Sequence, residues 1–153
     1  SMLQPLEDSD GLSCLQIACH ALSKLARRRI IASPADEIAL VFYGTERSNP
    51  KENSRESISE FDHVFVRHSL GFITASKIKD FEALADKDGR SFRAEFGSRG
   101  GGTAAEAADL VHALWTASQM FSRRGGSAVK KLWIFTNNDF SSLGSVAERD
   151  TIV

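Results

Sequence analysis

The side chains best suited to chemistry in this sequence are its two cysteines and four histidines, because thiols and imidazoles serve as nucleophiles, bases and metal ligands. Cys14, Cys19 and His20 lie within one predicted helix, where a cysteine is usually a small apolar core residue. The remaining histidines are His63, His68 and His112. None has a carboxylate at a spacing that indicates a catalytic triad, and no CxxC motif is present. The sequence therefore predicts no catalytic residue, and reduced thiols as in a cytosolic or nuclear protein.

A glycine-rich stretch, residues 97–102, precedes a predicted helix, where backbone N–H groups can bind an anion. A phosphate-binding loop, however, needs a lysine before its Ser or Thr, whereas here Thr103 follows Gly102 directly. The stretch also follows no convincing strand. We therefore expect a loop and a helix start rather than a nucleotide site.

Oxygen ligands for a divalent cation are the next possibility. Gly101-Gly102-Thr103 is similar to the threonine loop of von Willebrand A-type domains, which often hold a cation with a DxSxS cluster and an aspartate. No predicted strand carries DxSxS here, and Asp8-Ser9-Asp10-Gly11 is explained by helix capping. Asn137 stands where such domains place the aspartate, and an amide is the weaker ligand. The sequence thus predicts no metal site and no cofactor.

The charge balance argues against a domain that grips nucleic acid by itself. Nineteen basic and twenty acidic residues give a net charge of -1, whereas nucleic-acid-binding domains usually carry a basic excess. The basic clusters lie at predicted helix ends or just before a strand: Lys24 with Arg27 to Arg29, Arg123-Arg124 and Lys130-Lys131. We expect them to be solvated, with weak phosphate contact as the alternative. No apolar run reaches the roughly 20 residues that span a bilayer, so no membrane contact is expected.

Hydrophobic periodicity predicts the elements that position these residues. Helices are predicted at 12–29, 74–85 and 104–122, and the apolar face of the first contains residues 14, 17, 18, 21, 22 and 25. Segments 37–43 and 131–136 are continuously apolar, which is typical of strands covered on both faces, and 63–67 is a predicted edge strand. Residues 86–102 are a break in composition, charged at first and then glycine-rich.

Helices that alternate with fully buried strands predict an α/β domain with a mostly parallel sheet. The functional rim of such a sheet lies at the carboxyl ends of its strands, which here are Tyr43 to Thr45 and Thr136 to Asp139. The chain opens on a helix with no strand before it. We therefore expect a strand of this sheet to lie upstream of residue 1. Such a chain should be marginally stable and self-associating.

Three segments carry a family resemblance. Glu37 to Glu46 contains a strand with an FYGTE turn, Ala113-Leu114-Trp115 lies in a helix, and Lys131 to Asp139 reads as a strand with a TNND loop. In this order they resemble the N-terminal von Willebrand A-like domain of the smaller subunit of the Ku heterodimer. That resemblance implies a three-layer, Rossmann-like von Willebrand A-type fold. It also implies that 1–153 is one partial domain, without the first central strand and the C-terminal strands, and that 86–108, which have no clear counterpart in the family, are a loop insertion.

It also implies a protein-interaction domain without catalytic residues. The expected partners are the larger Ku subunit and end-joining repair proteins, with DNA ends bound by the full heterodimer rather than by this chain alone. The implied processes are double-strand-break repair by non-homologous end joining, and telomere maintenance, in the nucleus. The alternatives are a metal-dependent adhesion-type A domain that binds a protein ligand through a cation, and a small Rossmann-like enzyme.

We predict that the isolated chain binds duplex DNA weakly and without preference for ends at physiological salt. Its small basic clusters can neutralise only a few phosphates, and the affinity gained from counterion release scales with that number. An anisotropy titration with a labelled duplex checks this prediction. Tight, salt-resistant and end-selective binding would contradict it.

Overall fold

The chain forms four helices and a strand pair within the residues that the structure, a computed structural model, describes: 2–3, 12–49, 61–99, 102–125 and 128–137. The elements in chain order are α1 (Cys14–Ala32), β1 (Glu37–Tyr43), β2 (Val64–Phe72), α2 (Ala75–Ala85), α3 (Gly89–Phe96) and α4 (Gly102–Arg124). The three predicted helices and the strand 37–43 are confirmed. No helix in these ranges is both long and apolar enough to cross a membrane.

Helix α1 begins at a capping box, because the Ser13 hydroxyl accepts a hydrogen bond from the Gln16 backbone while the Gln16 side chain accepts one from the Ser13 N–H. Its buried residues are Cys19, Ser23 and Ala26. The predicted apolar face is therefore wrong in part, since Ile17 is 41% exposed. The small side chains of Ser23 and Ala26 allow α1 to pack closely against α2. A helical face predicted from hydrophobicity alone does not include a buried serine.

The strand pair that the structure describes is antiparallel, and the parallel neighbours that the sequence predicted are not seen among the described residues. β1 pairs with β2 from Glu37↔Phe72 to Tyr43↔Val64, with irregularities on both sides of Leu40. The predicted edge strand 63–67 is thus real but longer, ending at Phe72. An antiparallel neighbour needs no helical crossover, so helix–strand alternation could not identify this pair.

Segment 131–136, predicted to be a second buried strand, is not a strand in the structure. Its apolar side chains stay exposed: Leu132 49%, Trp133 57%, Ile134 48% and Phe135 44%. Backbone groups form a strand only beside a partner, and neither described strand pairs with this segment.

The stretch 86–108, predicted to be a loop, contains α3 and the start of α4. Asp88 caps α3 by accepting a hydrogen bond from the Ser91 N–H, and Phe92 and Phe96 form its buried face. Gly97 ends the helix with φ +72°, a conformation that favours glycine. The hydrophobic pattern did not predict this helix, because the charged residues Arg93 and Glu95 lie between its two phenylalanines. That the stretch is an insertion stays a prediction.

Two apolar clusters lie on one side of the sheet. One cluster joins Phe42 and Phe65 of the strands to Cys19, Leu84, Phe92 and Phe96, and a second surrounds Ala26, Ile73 and Phe81. Helix α4 contacts both strands, but none of its side chains joins these clusters. Because strand side chains alternate between faces, α4 covers the opposite face, which buries Val64 and Val66.

A charged network ties β2 to α2 and α3. Arg67 donates to both carboxylate oxygens of Asp80 and also pairs with Glu95 at 3.2 Å. The Nε2 atom of His68 lies 2.7 Å from Asp80, and Lys87 Nζ lies 2.6 Å from Glu95. The hydrogen bonds from Arg67, with a smaller effect of His68, hold the pKa of Asp80 below its ordinary 3.8.

We predict a pH-dependent contribution to stability from Asp80. A lowered pKa means that the folded state prefers the carboxylate, so this stabilisation is complete above about pH 4 and is lost as the pH falls through the folded pKa. Asp80→Asn should lower the free energy of unfolding at pH 7 and lose less than the parent chain between pH 4 and 2. Urea unfolding across that range measures both effects. Asp86→Asn, on the exposed end of α2, is the matched control, and an identical acid response of Asp80→Asn and parent would contradict the prediction.

Candidate functional site

The turn after β1 is the centre of the predicted rim. Gly44 has φ +70°, and Thr45, 4% exposed, donates its hydroxyl proton to the Arg47 carbonyl oxygen at 2.7 Å. His63 lies opposite, with its Nδ1 atom 2.9 Å from the Thr45 carbonyl oxygen. Since a carbonyl only accepts, Nδ1 carries the proton. His63 has φ 63°, an uncommon conformation for a residue with a side chain, so this turn is held by specific contacts.

The loop after α3 is fastened to the same turn. The Arg47 N–H donates to the Phe96 carbonyl oxygen at 3.0 Å, and the Arg99 N–H donates to that of Gly44 at 2.9 Å. Arg99 Nη1 then reaches Asp109 Oδ1 of α4 at 2.6 Å. Asp109 is 1% exposed, and its Oδ2 atom has no protein partner in the structure. Burying a carboxylate costs free energy unless the charge is paired. Arg99 therefore stabilises the contact between the turn after β1, the loop after α3 and helix α4.

Tyr43 and Thr136 meet at this rim, as the sequence predicted for the ends of the two apolar segments. Their side chains are hydrogen-bonded to each other, and Glu106 of α4 is close enough to act on Tyr43 electrostatically. Burial is the main cause that raises the pKa of Tyr43 above its ordinary 10.0, with a further rise from Glu106. The phenol is therefore neutral at physiological pH and acts as a hydrogen-bonding anchor.

An aromatic cluster flanks the rim on α4. The Phe61 ring stacks on His112 with centroids 4.2 Å apart, and Trp115 meets the edge of Phe61 at 5.3 Å. Val111 and Trp115 are 51% and 47% exposed. Exposed aromatic and apolar side chains of this kind are enriched at protein–protein interfaces.

The candidate chemical residues from the sequence are dispersed. Cys19 is buried, and burial raises its thiol pKa to about 11, which makes it a poor nucleophile. His63 binds backbone, His68 contacts Asp80, and His112 stacks on Phe61. No group of three or more His, Cys, Asp or Glu side chains could hold a metal ion among the residues described. Gly101, considered above as part of a cation loop, and all of Asp8 to Gly11 lie outside the described residues.

Several basic residues are paired with carboxylates. Arg27 bonds to Glu82, Arg29 lies 3.1 Å from Asp36, and Arg124 lies 2.8 Å from Glu37. Lys130 and Lys131 are exposed. The clusters therefore do not form one basic surface on the described part of the chain.

Sequence reasoning missed the Arg99–Asp109 pair. Asp109, His112 and Thr116 are spaced so that they share one face of α4, and Asp109 and Thr116 are buried. Polar residues at this spacing among apolar ones were the available signal that Asp109 has a buried partner. Its partner could not be identified, because Arg99 lies in a segment predicted to be a loop.

Two helical layers around a sheet, with a turn-centred rim at the end of β1, define an α/β domain, and comparison with known proteins identifies its family. The chain belongs to the family described as the Ku70/Ku80 N-terminal alpha/beta domain, whose model matches residues 1–152. This confirms the resemblance found in the sequence.

Similar proteins carry consistent names. The chain is 30% identical over 140 residues to "ATP-dependent DNA helicase II subunit 1" of Aspergillus sojae, covering 89% of this chain and 20% of that protein. It is 28% identical to the protein of the same name in Coccidioides immitis, covering 86% and 19%. It is 25% identical to "ATP-dependent DNA helicase ku70" of Dictyostelium discoideum, covering 91% and 15%. The chain thus spans about a fifth or less of the length of these curated relatives.

We predict that Arg99→Met destabilises the chain by about 1–3 kcal/mol, because it leaves the buried Asp109 carboxylate without its cation. The double variant Arg99→Met/Asp109→Leu should regain much of that loss, since no buried charge remains. Urea unfolding measures the stability of Arg99→Met and of the double variant. The control is Arg93→Met, because Arg93 is an exposed arginine of α3. Equal stability of Arg99→Met and Arg93→Met would refute the role of Arg99.

Proposed function

We propose that this chain is a protein-interaction domain of a Ku-type DNA-end-binding heterodimer that acts in non-homologous end joining and telomere maintenance in the nucleus. Its partners would be the larger Ku subunit and end-joining repair proteins. The family match is the observation that carries the proposal. DNA ends would be bound by the assembled heterodimer.

The chemistry of the described surface supports an interaction role rather than catalysis. Asp109, the most buried carboxylate of the rim, is neutralised by Arg99, and Tyr43 is anchored to Thr136. Exposed Val111 and Trp115 on α4 offer apolar area for a partner instead. The family match does not favour the alternative, an adhesion-type domain that binds its ligand through a cation. In addition, a cation at Asp109 would have to displace the Arg99 guanidinium.

We further propose that the sheet is of the von Willebrand A type, with a parallel strand beside β1. Asn49 blocks the outer edge of β2, because its side-chain amide exchanges hydrogen bonds with the N–H and carbonyl of Val66 at 2.6 and 3.0 Å. The other edge of β1 meets no strand among the described residues. A strand there would also cover Leu132 to Phe135, whose exposure is otherwise unfavourable.

The function is tested with a surface variant of the full-length subunit. Val111→Lys should reduce joining of linear plasmid ends in cells, because a charge on the exposed face of α4 opposes apolar docking. The affinity of the purified heterodimer for a DNA end should stay within about twofold, since no cationic contact is removed. Ile31→Lys, at an 84% exposed apolar position on α1, is the matched control.

Two results would contradict the proposal. One is loss of DNA-end affinity in parallel with end joining, which would place DNA binding in this domain. The other is an end-joining efficiency that remains normal even when residues 1–153 are replaced by an unrelated domain.

A further inference from the structure

Helix α1 carries charges of one sign only. It contains Lys24, Arg27, Arg28 and Arg29, and no aspartate or glutamate. Exposed helices usually balance such cations with carboxylates three or four residues away, because opposite charges at that spacing stabilise a helix and like charges destabilise it. The chain as a whole has a net charge of -1, so its overall composition does not explain a purely cationic helix.

Two of these cations are neutralised within the domain and two are not. Arg27 pairs with a carboxylate of α2, and Arg29 pairs with one in the loop before β1. The exposed side chains of Lys24 and Arg28 make no hydrogen bond or ion pair among the described residues. The helix dipole favours cations in the last turn, which accounts for Arg29 but not for Lys24, well before the helix ends.

The two unpaired cations belong to one exposed stripe of α1. Ile17, Ala21, Lys24 and Arg28 follow one another at steps of four and three residues, which places them on the same helical face. All of them are exposed. We call these residues the α1 stripe. At the rise per residue of an α-helix, the stripe is about 17 Å long, so it is long enough to contact several turns of a second helix.

The α1 stripe is held in a fixed geometry, because the helix packs against α2 through its other side. The buried residues of α1 are Cys19, Ser23 and Ala26. Lys24 and Arg28 are about one helical turn apart, so their Cβ atoms are roughly 6 Å from each other. Two carboxylates one turn apart on a second helix have the same spacing. Charge and spacing therefore match an acidic helix.

The amino-terminal half of the α1 stripe is apolar. Ile17 is 41% exposed, and Ala21 is too small to hinder the approach of a partner. Amphipathic helices bind through apolar side chains spaced three or four residues apart. The stripe offers an apolar contact followed by two cations, and a ligand that carries charge alone would leave Ile17 uncovered.

We propose that the α1 stripe binds an acidic amphipathic helix of a partner protein, with two carboxylates on Lys24 and Arg28 and an apolar side chain on Ile17. This inference rests on the proposed role of the domain in protein interaction and gives the chemistry of one partner. Duplex DNA is the less fitting ligand, because two cations release few counterions and the apolar half of the stripe would face phosphates.

The test is an anisotropy titration of the chain with a fluorescein-labelled helical peptide that carries leucine and two glutamates, one turn apart, on one face. The double variant Lys24→Glu/Arg28→Glu should weaken binding by about tenfold or more, because it turns two exposed ion pairs into repulsions. Ile17→Gln should weaken binding by about two- to fivefold through loss of the apolar contact. The matched control, Lys130→Glu/Lys131→Glu, makes the same charge change at exposed positions outside the helices and should change affinity by less than about twofold.

A charge change in the opposite direction gives a second check. Ile31→Lys adds a cation to α1 beyond the end of the stripe, so binding of the acidic peptide should stay unchanged or become tighter. Far-UV circular dichroism of each variant shows that its helix content equals that of the parent chain. A loss of binding in such a variant reports a lost contact and not unfolding.

Four outcomes would overturn the inference: equal loss in the two double variants, equal binding of a peptide with lysine in place of glutamate, tighter binding of a duplex of equal charge, or no binding at all. The proposed function stands in each case if Val111→Lys still impairs end joining. Conversely, peptide binding that depends on Lys24 and Arg28 alongside normal end joining in Val111→Lys would reject the α4 surface but keep the α1 stripe.

Discussion

Packing of four phenylalanine rings between the sheet and α3 is the constraint on which the rest of the described structure depends. The Phe42 centroid lies 5.1 and 5.2 Å from those of Phe92 and Phe96, and Phe65 lies 5.5 Å from Phe96. These contacts fix α3 on the strands. The end of α3 then brings the Phe96 carbonyl and the Arg99 backbone to the turn after β1. The packing of these rings therefore also positions the rim, including the ion pair between Arg99 and Asp109.

Side chains from outside the strands satisfy several backbone groups of the sheet where the register is irregular or the edge is open. Lys77 supplies donors to Ile38, Ser69 and Gly71, where the irregular register interrupts the ladder. Asn49 does the same for Val66 at the outer edge. Because unpaired backbone groups invite association with other strands, these side chains close one edge of the sheet. The edge of β1 is the one that remains for a neighbour.

Three arginines of the long helices are bonded within the domain. Arg27 and Arg29 of α1 and Arg124 of α4 are bonded to carboxylates, and Arg124 also to a backbone carbonyl, which reduces what these three can offer to phosphates. Val111 and Trp115 on α4 are, by contrast, apolar side chains that are about half exposed.

The sequence by itself determined the long helices, the strand 37–43 and the family, because helical periodicity and the FYGTE and TNND segments are local patterns. It also placed Tyr43 and Thr136 at one rim. Only the tertiary structure decided the antiparallel partner of β1, the burial of Ser23 and Ala26 rather than Ile17, the existence of α3, and the pairing of Arg99 with Asp109. The physical reason is that each of these depends on contacts between residues distant in the chain. Hydrophobicity and spacing report what a segment can bury, whereas packing decides against which partner it does so.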